Sequence, residues 1–181
     1  FTVTLKVNKQ GVAAPSVASG LIYNGSEQTG ITASSSHVTL GGTIKATDAG
    51  SYTATASLPN ANYCWGSNGG TDSAQKSYTW TIAKQAVAVP TITAGSSQVY
   101  TGSLLKPTTS TNTLYTVTNA GGTDVGSYTV SFNLVTPKNY KWATAPSTGE
   151  SGRYDITWNI TKANITTTAP SFTSNGALGK V

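Results

Sequence analysis

The chain has a single cysteine, Cys64, so no disulfide can form within it. Methionine is absent, and long runs of Ala, Leu, Glu and Lys are missing. The lack of these strong helix formers argues against helices. Charged residues make up 9% of the 181 positions, against about 25% in ordinary globular domains. Net charge is +5, but no basic run occurs and basic residues do not interleave with aromatics, which argues against nucleic-acid binding. No apolar run approaches the roughly 20 residues of a membrane span. One histidine and six acidic residues leave little material for chemistry.

Ser and Thr together supply roughly three residues in ten, far above ordinary usage. Such a composition could belong to a disordered chain. Two features oppose that reading. Four Trp and nine Tyr provide large surfaces to bury, and the apolar residues alternate along the chain.

The chain repeats itself. "TDAGSYTATA" (Thr47 to Ala56) returns as "TDVGSYTVSF" (Thr123 to Phe132). Lys9-Gln10 leading to Pro15 returns as Lys84-Gln85 leading to Pro90, and Tyr23-Asn24-Gly25-Ser26 returns as Tyr100-Thr101-Gly102-Ser103. Asn62-Tyr63-Cys64-Trp65 returns as Asn139-Tyr140-Lys141-Trp142. Closing runs "YTWTIAK" and "ITWNITK" end at Lys84 and Lys162. The spacing stays between 75 (Lys9 to Lys84) and 78 (Lys84 to Lys162), and the order never changes. A fixed period with ordered landmarks marks tandem duplication. Repeat 1 spans 10–84 and repeat 2 spans 85–162. Residues 1–9 match the closing strand of a preceding repeat, or alternatively add a strand to the first domain. Residues 163–181 match the start of a following repeat, or form a tail.

Within each repeat the period is two. Tyr52, Ala54 and Ala56 share one face against Ser51, Thr53, Thr55 and Ser57, and Tyr128, Val130 and Phe132 share one face against Ser127, Thr129 and Ser131. Trp80 and Ile82, like Trp158 and Ile160, are expected to face inward, and Phe1, Val3, Leu5 and Val7 continue the pattern. These are half-buried strands. Gly50 and Gly126 precede the Tyr strands, where glycine suits a tight entry turn with positive φ. Short strands with regular turn signals indicate a β-sandwich or barrel. About 76 residues is small for one, so each core depends on burying its aromatics.

Asp48-x-Gly50-x-Tyr52-x-Ala54 and Asp124-x-Gly126-x-Tyr128-x-Val130 resemble the strand F signature of immunoglobulin-like domains, with Ala54 and Val130 where a disulfide cysteine would stand. The whole ordered set is the Tyr-x-Gly-Ser turn, the Gly-x-Tyr-Thr strand, the Asn-Tyr-x-Trp loop and the Trp-x-Ile-x-Lys closing strand. It resembles the MBG-type, or YDG-related, immunoglobulin-like repeats of large bacterial surface proteins. That resemblance implies an all-β chain of two tandem immunoglobulin-like β-sandwich domains without disulfides. It also implies an extracellular stalk or adhesion role, usually without catalysis.

No residue pattern points to an enzyme. A Ser-His-Asp triad would have to use His37, which has no counterpart in repeat 2 and no nucleophile-elbow context. One His, one Cys and scattered acids offer no ligand spacing for zinc or calcium, so neither metal nor cofactor is expected. Glu27 and Glu150 belong to different repeats and make no carboxylate pair. Asp48 and Asp124 recur and read as turn-capping acceptors. A Lys–Asn isopeptide crosslink would need a buried acid beside Lys and Asn, whereas Lys84 and Lys162 sit at repeat junctions. Cys64 stands where repeat 2 has Lys141, which suggests an outward position. The sequons at Asn24, Asn159 and Asn164 are expected by chance in so Thr-rich a chain.

The aromatics offer the alternative. Trp65 and Trp142, with Tyr63 and Tyr140, could stack on sugar rings if exposed. Their recurrence favours a structural role, because each repeat must rebuild its core. The reading is therefore a non-catalytic spacer or adhesion segment, a semi-rigid array in which Asp48, Gly50, Tyr52, Asp124, Gly126 and Tyr128 are structural. The alternative is a carbohydrate- or host-protein-binding module. Expected partners are neighbouring repeats of the same chain, with a polysaccharide or host surface protein under the alternative. Neither nucleic acid nor membrane contact is expected, and a monomer is.

Overall fold

A computed structural model describes residues 1–93, 96–144 and 152–166. Residues 167–181 of the expected following segment, and Glu150, lie outside the described residues. The described chain is all β, with no helix and no disulfide. In repeat 1 the strands are β1 (Gln10–Val12), β2 (Ser16–Val17), β3 (Leu21–Ile22), β4 (Gln28–Thr29) and β5 (Ile31–Thr32). They continue with β6 (Thr39–Gly42), β7 (Lys45–Ala46), β8 (Gly50–Ser57), β9 (Tyr63–Trp65) and β10 (Lys76–Ala83). In repeat 2 they are β11 (Gln85–Val87), β12 (Ser97–Val99), β13 (Tyr115–Thr118), β14 (Gly126–Leu134), β15 (Tyr140–Trp142) and β16 (Arg153–Thr161).

The two repeats build the same pairings. Each has a four-stranded mixed sheet, β3-β10-β8-β6 in the first and β12-β16-β14-β13 in the second. In both, the early strand runs parallel to the closing strand and the other pairs are antiparallel. Tyr52 stands opposite Trp80, and Tyr128 opposite Trp158. A second parallel pair, β1 with β9 and β11 with β15, joins the opening strand of each repeat to its Asn-Tyr-x-Trp segment in the same register. The short antiparallel pairs β2–β5 and β4–β7 of repeat 1 are reduced in repeat 2 to single bridges, Ile92 with Thr109 and Leu105 with Gly122.

The period-two pattern sets the core. Ala54, Ala56, Trp80 and Ile82 are buried in repeat 1, and Val130, Phe132, Trp158 and Ile160 in repeat 2, while the intervening Thr79, Thr81 and Thr157 are exposed. Each Trp–Tyr pair stacks with rings tilted 31°, at 4.7 Å for Tyr52–Trp80 and 5.2 Å for Tyr128–Trp158. Burying one such indole removes on the order of 200 Å² from water, an upper bound of about 5 kcal/mol. The repeats differ in one respect. Val130 and Phe132 are large enough to join both ends of repeat 2 into one cluster, whereas Ala54 and Ala56 leave repeat 1 with two clusters, around Trp80 and around Trp65.

Two local expectations are corrected. Gly50 and Gly126 do not have positive φ. They are the first residues of β8 and β14, paired with Ile82 and Ile160. A Cβ on Gly50 would lie 3.4 Å from Tyr52 Oη and one on Gly126 3.8 Å from the Tyr128 ring, ordinary contact distances, so space alone does not require glycine at either position. Positive φ falls instead on Gly25 and Gly102 of the Tyr-x-Gly-Ser turns. Residues 1–9 form no strand and add none to the first sheet. Phe1, Val3, Leu5 and Val7 are all exposed, because no neighbouring strand offers them backbone partners.

Candidate functional site

The aromatic candidates separate. Trp65 and Trp142 are buried, 8% and 5% exposed, and their indole N–H groups donate to Ala74 O and Gly152 O. Neither presents a ring face to a sugar. Trp142 packs against Tyr115 and Tyr154 inside repeat 2. Tyr63 is half-buried beside the His37 ring, 4.7 Å between centroids. That contact occupies the lone histidine in packing. Among the described residues no group of three His, Cys, Asp or Glu could hold a metal ion, and no helix is long and apolar enough to cross a membrane.

Cys64 is fully buried, which corrects the expected outward position. Its Sγ lies 3.3 Å from Ser67 O and 3.6 Å from Gln10 O, beneath the loop that carries Ser67 and Gly70. Lys141, at the same register in β15, is exposed. The thiol is small and apolar enough to be covered, and an ammonium is not.

The recurrent Asp residues play two parts through different atoms. Their backbone carbonyls accept from the tyrosine four residues on, Tyr52 Oη to Asp48 O at 2.6 Å and Tyr128 Oη to Asp124 O at 2.7 Å. This locks the entry of β8 and β14. The Asp48 carboxylate does not cap its own turn, as the sequence suggested. It faces repeat 2, where Lys138 Nζ donates to Oδ2 at 2.6 Å and Asn139 Nδ2 donates to Oδ1 at 2.9 Å. The same Asn139 side chain accepts from the Ala49 N–H at 2.9 Å. One carboxamide thus reads a carboxylate and the next backbone N–H together. Asn139 is 4% exposed, the one buried polar residue of the described core.

Around this centre, Tyr23 meets Tyr140 edge to face at 5.3 Å, and Lys84 Nζ donates to Pro137 O at 2.7 Å. The chain passes between repeats through Lys84 alone, since β10 ends at Ala83 and β11 begins at Gln85. The site is therefore a joint. Loops of repeat 1 supply Tyr23, Asp48 and Ala49, and the Asn-Tyr turn of repeat 2 supplies Lys138, Asn139 and Tyr140.

Its electrostatics are those of an ion pair. The hydrogen bond from Lys138, and then that from Asn139, hold the Asp48 carboxyl below its ordinary value, and Asp48 raises Lys138 in turn. An isopeptide bond would need a neutral amine and a neutral acid away from water. Here the charged forms are favoured and the side chains are 65% and 44% exposed. Among the described residues the other ion pairs are Lys45–Glu27 and Lys76–Asp72, both exposed, and Arg153–Asp155, whose carboxylate is partly buried; the exposed pairs are of small energetic weight.

Sequence reasoning marked Asp48, Tyr140 and Lys84 as recurrent but did not bring them together. Recurrence of Asp and Asn at fixed places in adjoining repeats was the available signal. Lys138 had none, because repeat 1 carries Ala61 there.

Comparison with protein-family models, curated proteins and solved structures returns no match.

Proposed function

We propose that the chain is a non-catalytic spacer or adhesion segment of a bacterial cell-surface protein, a semi-rigid array of immunoglobulin-like repeats 10–84 and 85–162. The observation that carries this reading is the joint. Asn139 is buried in hydrogen bonds to Asp48 and Ala49 across a one-residue connection, and Tyr140 packs on Tyr23. A linker meant to flex would leave these groups in water. A rod of such units transmits position, holding whatever lies beyond it at a set distance.

The immunoglobulin-like assignment is supported by the Tyr hydroxyl bonded back to the backbone at the start of β8 and β14. An extracellular setting follows from the MBG-type resemblance. The alternative, a carbohydrate-binding module, is weakened by the burial of Trp65 and Trp142.

The test is the relative motion of the repeats. Residual dipolar couplings from both repeats should fit one alignment tensor, and small-angle scattering should fit one extended particle. Two independent tensors would overturn the rod.

A further inference from the structure

Two Asn-Gly pairs lie among the described residues, Asn24-Gly25 and Asn68-Gly69. An asparagine followed by glycine can lose its amide without an enzyme. The glycine amide nitrogen attacks the asparagine Cγ, and the lack of a side chain on glycine leaves that approach open. Both pairs are exposed, and both glycines have a φ of +81°. The two pairs differ in what their surroundings do to the attacking nitrogen.

Asn24 sits in the turn after β3. Its Oδ1 accepts from the Ser26 N–H at 2.9 Å, an Asx turn that folds the carboxamide over its own following peptide. The Ser26 N–H thus already points at the oxygen on which negative charge develops when Cγ is attacked. The Gly25 N–H donates to no described residue. Nothing lies within 4 Å of a Cβ built on Gly25, so a succinimide ring has room to close.

Asn68 is held differently. Its Oδ1 accepts from the Gly11 N–H at 2.7 Å, and the Gly69 N–H donates to Lys9 O at 2.8 Å. The carboxamide is tied to a distant segment and the nucleophile is occupied. The loop has no slack, since a Cβ on Gly11 would lie 2.1 Å from Gly66 O. Attack at Asn68 must first break both bonds, a penalty on the order of twentyfold in rate. Repeat 2 keeps the first turn without its chemistry. Thr101 replaces Asn24, its Oγ1 accepts from the Ser103 N–H at 3.4 Å, and Gly102 has a φ of +77°. The turn itself therefore does not require asparagine.

We propose that Asn24 is a site of spontaneous covalent modification whose conversion loosens the joint between the repeats. The Gly25 nitrogen bonds to Asn24 Cγ, the Cγ–Nδ2 bond breaks, and Nδ2 leaves as ammonia with the proton of the Gly25 amide. Water then opens the succinimide. Addition at Cγ gives an aspartyl residue at position 24. Addition at the main-chain carbonyl carbon gives an isoaspartyl residue, which places an extra carbon in the main chain. That carbon directly follows Tyr23, whose N–H donates to Ala83 O at 2.9 Å and whose ring packs on Tyr140 of repeat 2. The link to the joint rests on this contact, and the chemistry at Asn24 does not.

The experiment warms the whole chain in mildly alkaline buffer and digests samples at intervals. Peptide masses report conversion, and enzymatic methylation reports isoaspartyl content. The Asn24 peptide should gain the mass difference between acid and amide on the order of twentyfold faster than the Asn68 peptide. Asn175-Gly176, outside the described residues, is read on its own peptide. In denaturant the Asn24 and Asn68 rates should converge, because the fold sets their difference. Equal rates in the native chain, or an undiminished difference in denaturant, would overturn the site. Asn24→Thr should remove the reaction and keep the fold, as Thr101 does in repeat 2. The converted chain should give two alignment tensors, where the fresh chain and aged Asn24→Thr give one. Coinciding tensors after conversion would overturn the link to the joint. Two tensors in the fresh chain would sink the rod and that link together, with the chemistry still decided by the peptide rates.

Discussion

Replacing Asn139 with Ala tests the joint directly. Asn139 makes two cross-repeat hydrogen bonds, to Asp48 Oδ1 and from the Ala49 N–H, each 2.9 Å. The bond to the buried Ala49 N–H is a neutral one, worth about 1 kcal/mol net, which is about a fivefold change in the ratio of closed to open joint. The bond to Asp48 acts in the same direction, but that carboxylate is in contact with water and its share is smaller than a buried charge would give. Tyr140 still packs on Tyr23, so the joint should loosen without being lost. The repeat supplies its own control. Asn62 holds the same place in repeat 1, where it is exposed and lies outside the joint, so Asn62→Ala should leave the joint unchanged. The assay is the pair of alignment tensors. They should coincide in the unsubstituted chain and in Asn62→Ala, and separate in Asn139→Ala, while the melting of each repeat changes little. Coinciding tensors in Asn139→Ala would refute the claim that this side chain holds the repeats together. Combining Asn139→Ala with Asp48→Ala should then add less than the sum of the two, since they share a bond.

Acid should loosen the joint as well. The Asp48 carboxyl is lowered from 3.8 by Lys138 and Asn139, so its contribution is complete above that value and is lost as pH falls through the depressed one. Scattering profiles between neutral pH and pH 2 should show the separation of repeats only below about 4, and an unchanged profile at pH 2 would count against the ion pair. Gly30→Ala places a Cβ 1.8 Å from Trp80 Cδ2, so the indole must move or repeat 1 must open. Calorimetry should show a loss of about 1–3 kcal/mol or more, confined to repeat 1, and an unaltered Tm would mean that the Trp80 site is looser than described. Cys64 should resist a thiol reagent in the native chain and react on unfolding, because its Sγ is fully covered. Rapid labelling of the folded chain would contradict its burial.

The all-β class was legible in residue order because it depends on local periodicity. Alternation along Ser51 to Ser57 and Ser127 to Phe132 has one physical solution, a strand with a wet and a dry face. Duplication doubled the signal for every landmark. Side chains whose environment comes from distant segments were not legible. Cys64 looked like Lys141 by position, yet the loop of Ser67 and Gly70 covers it. Trp65 and Trp142 could have been platforms or core from sequence alone, and the parallel β1–β9 and β11–β15 pairs placed them inside.

The amino-acid sequence by itself determined the all-β class and the ordered recurrence of its landmarks on either side of Lys84. These follow from composition, period two and a spacing of 75 to 78 positions. Only the tertiary structure decided that Asp48, Ala49 and Tyr23 meet Lys138, Asn139 and Tyr140. Those residues are about 90 positions or more apart. No period within a single repeat encodes a contact that exists only when one folded repeat is seated against the next.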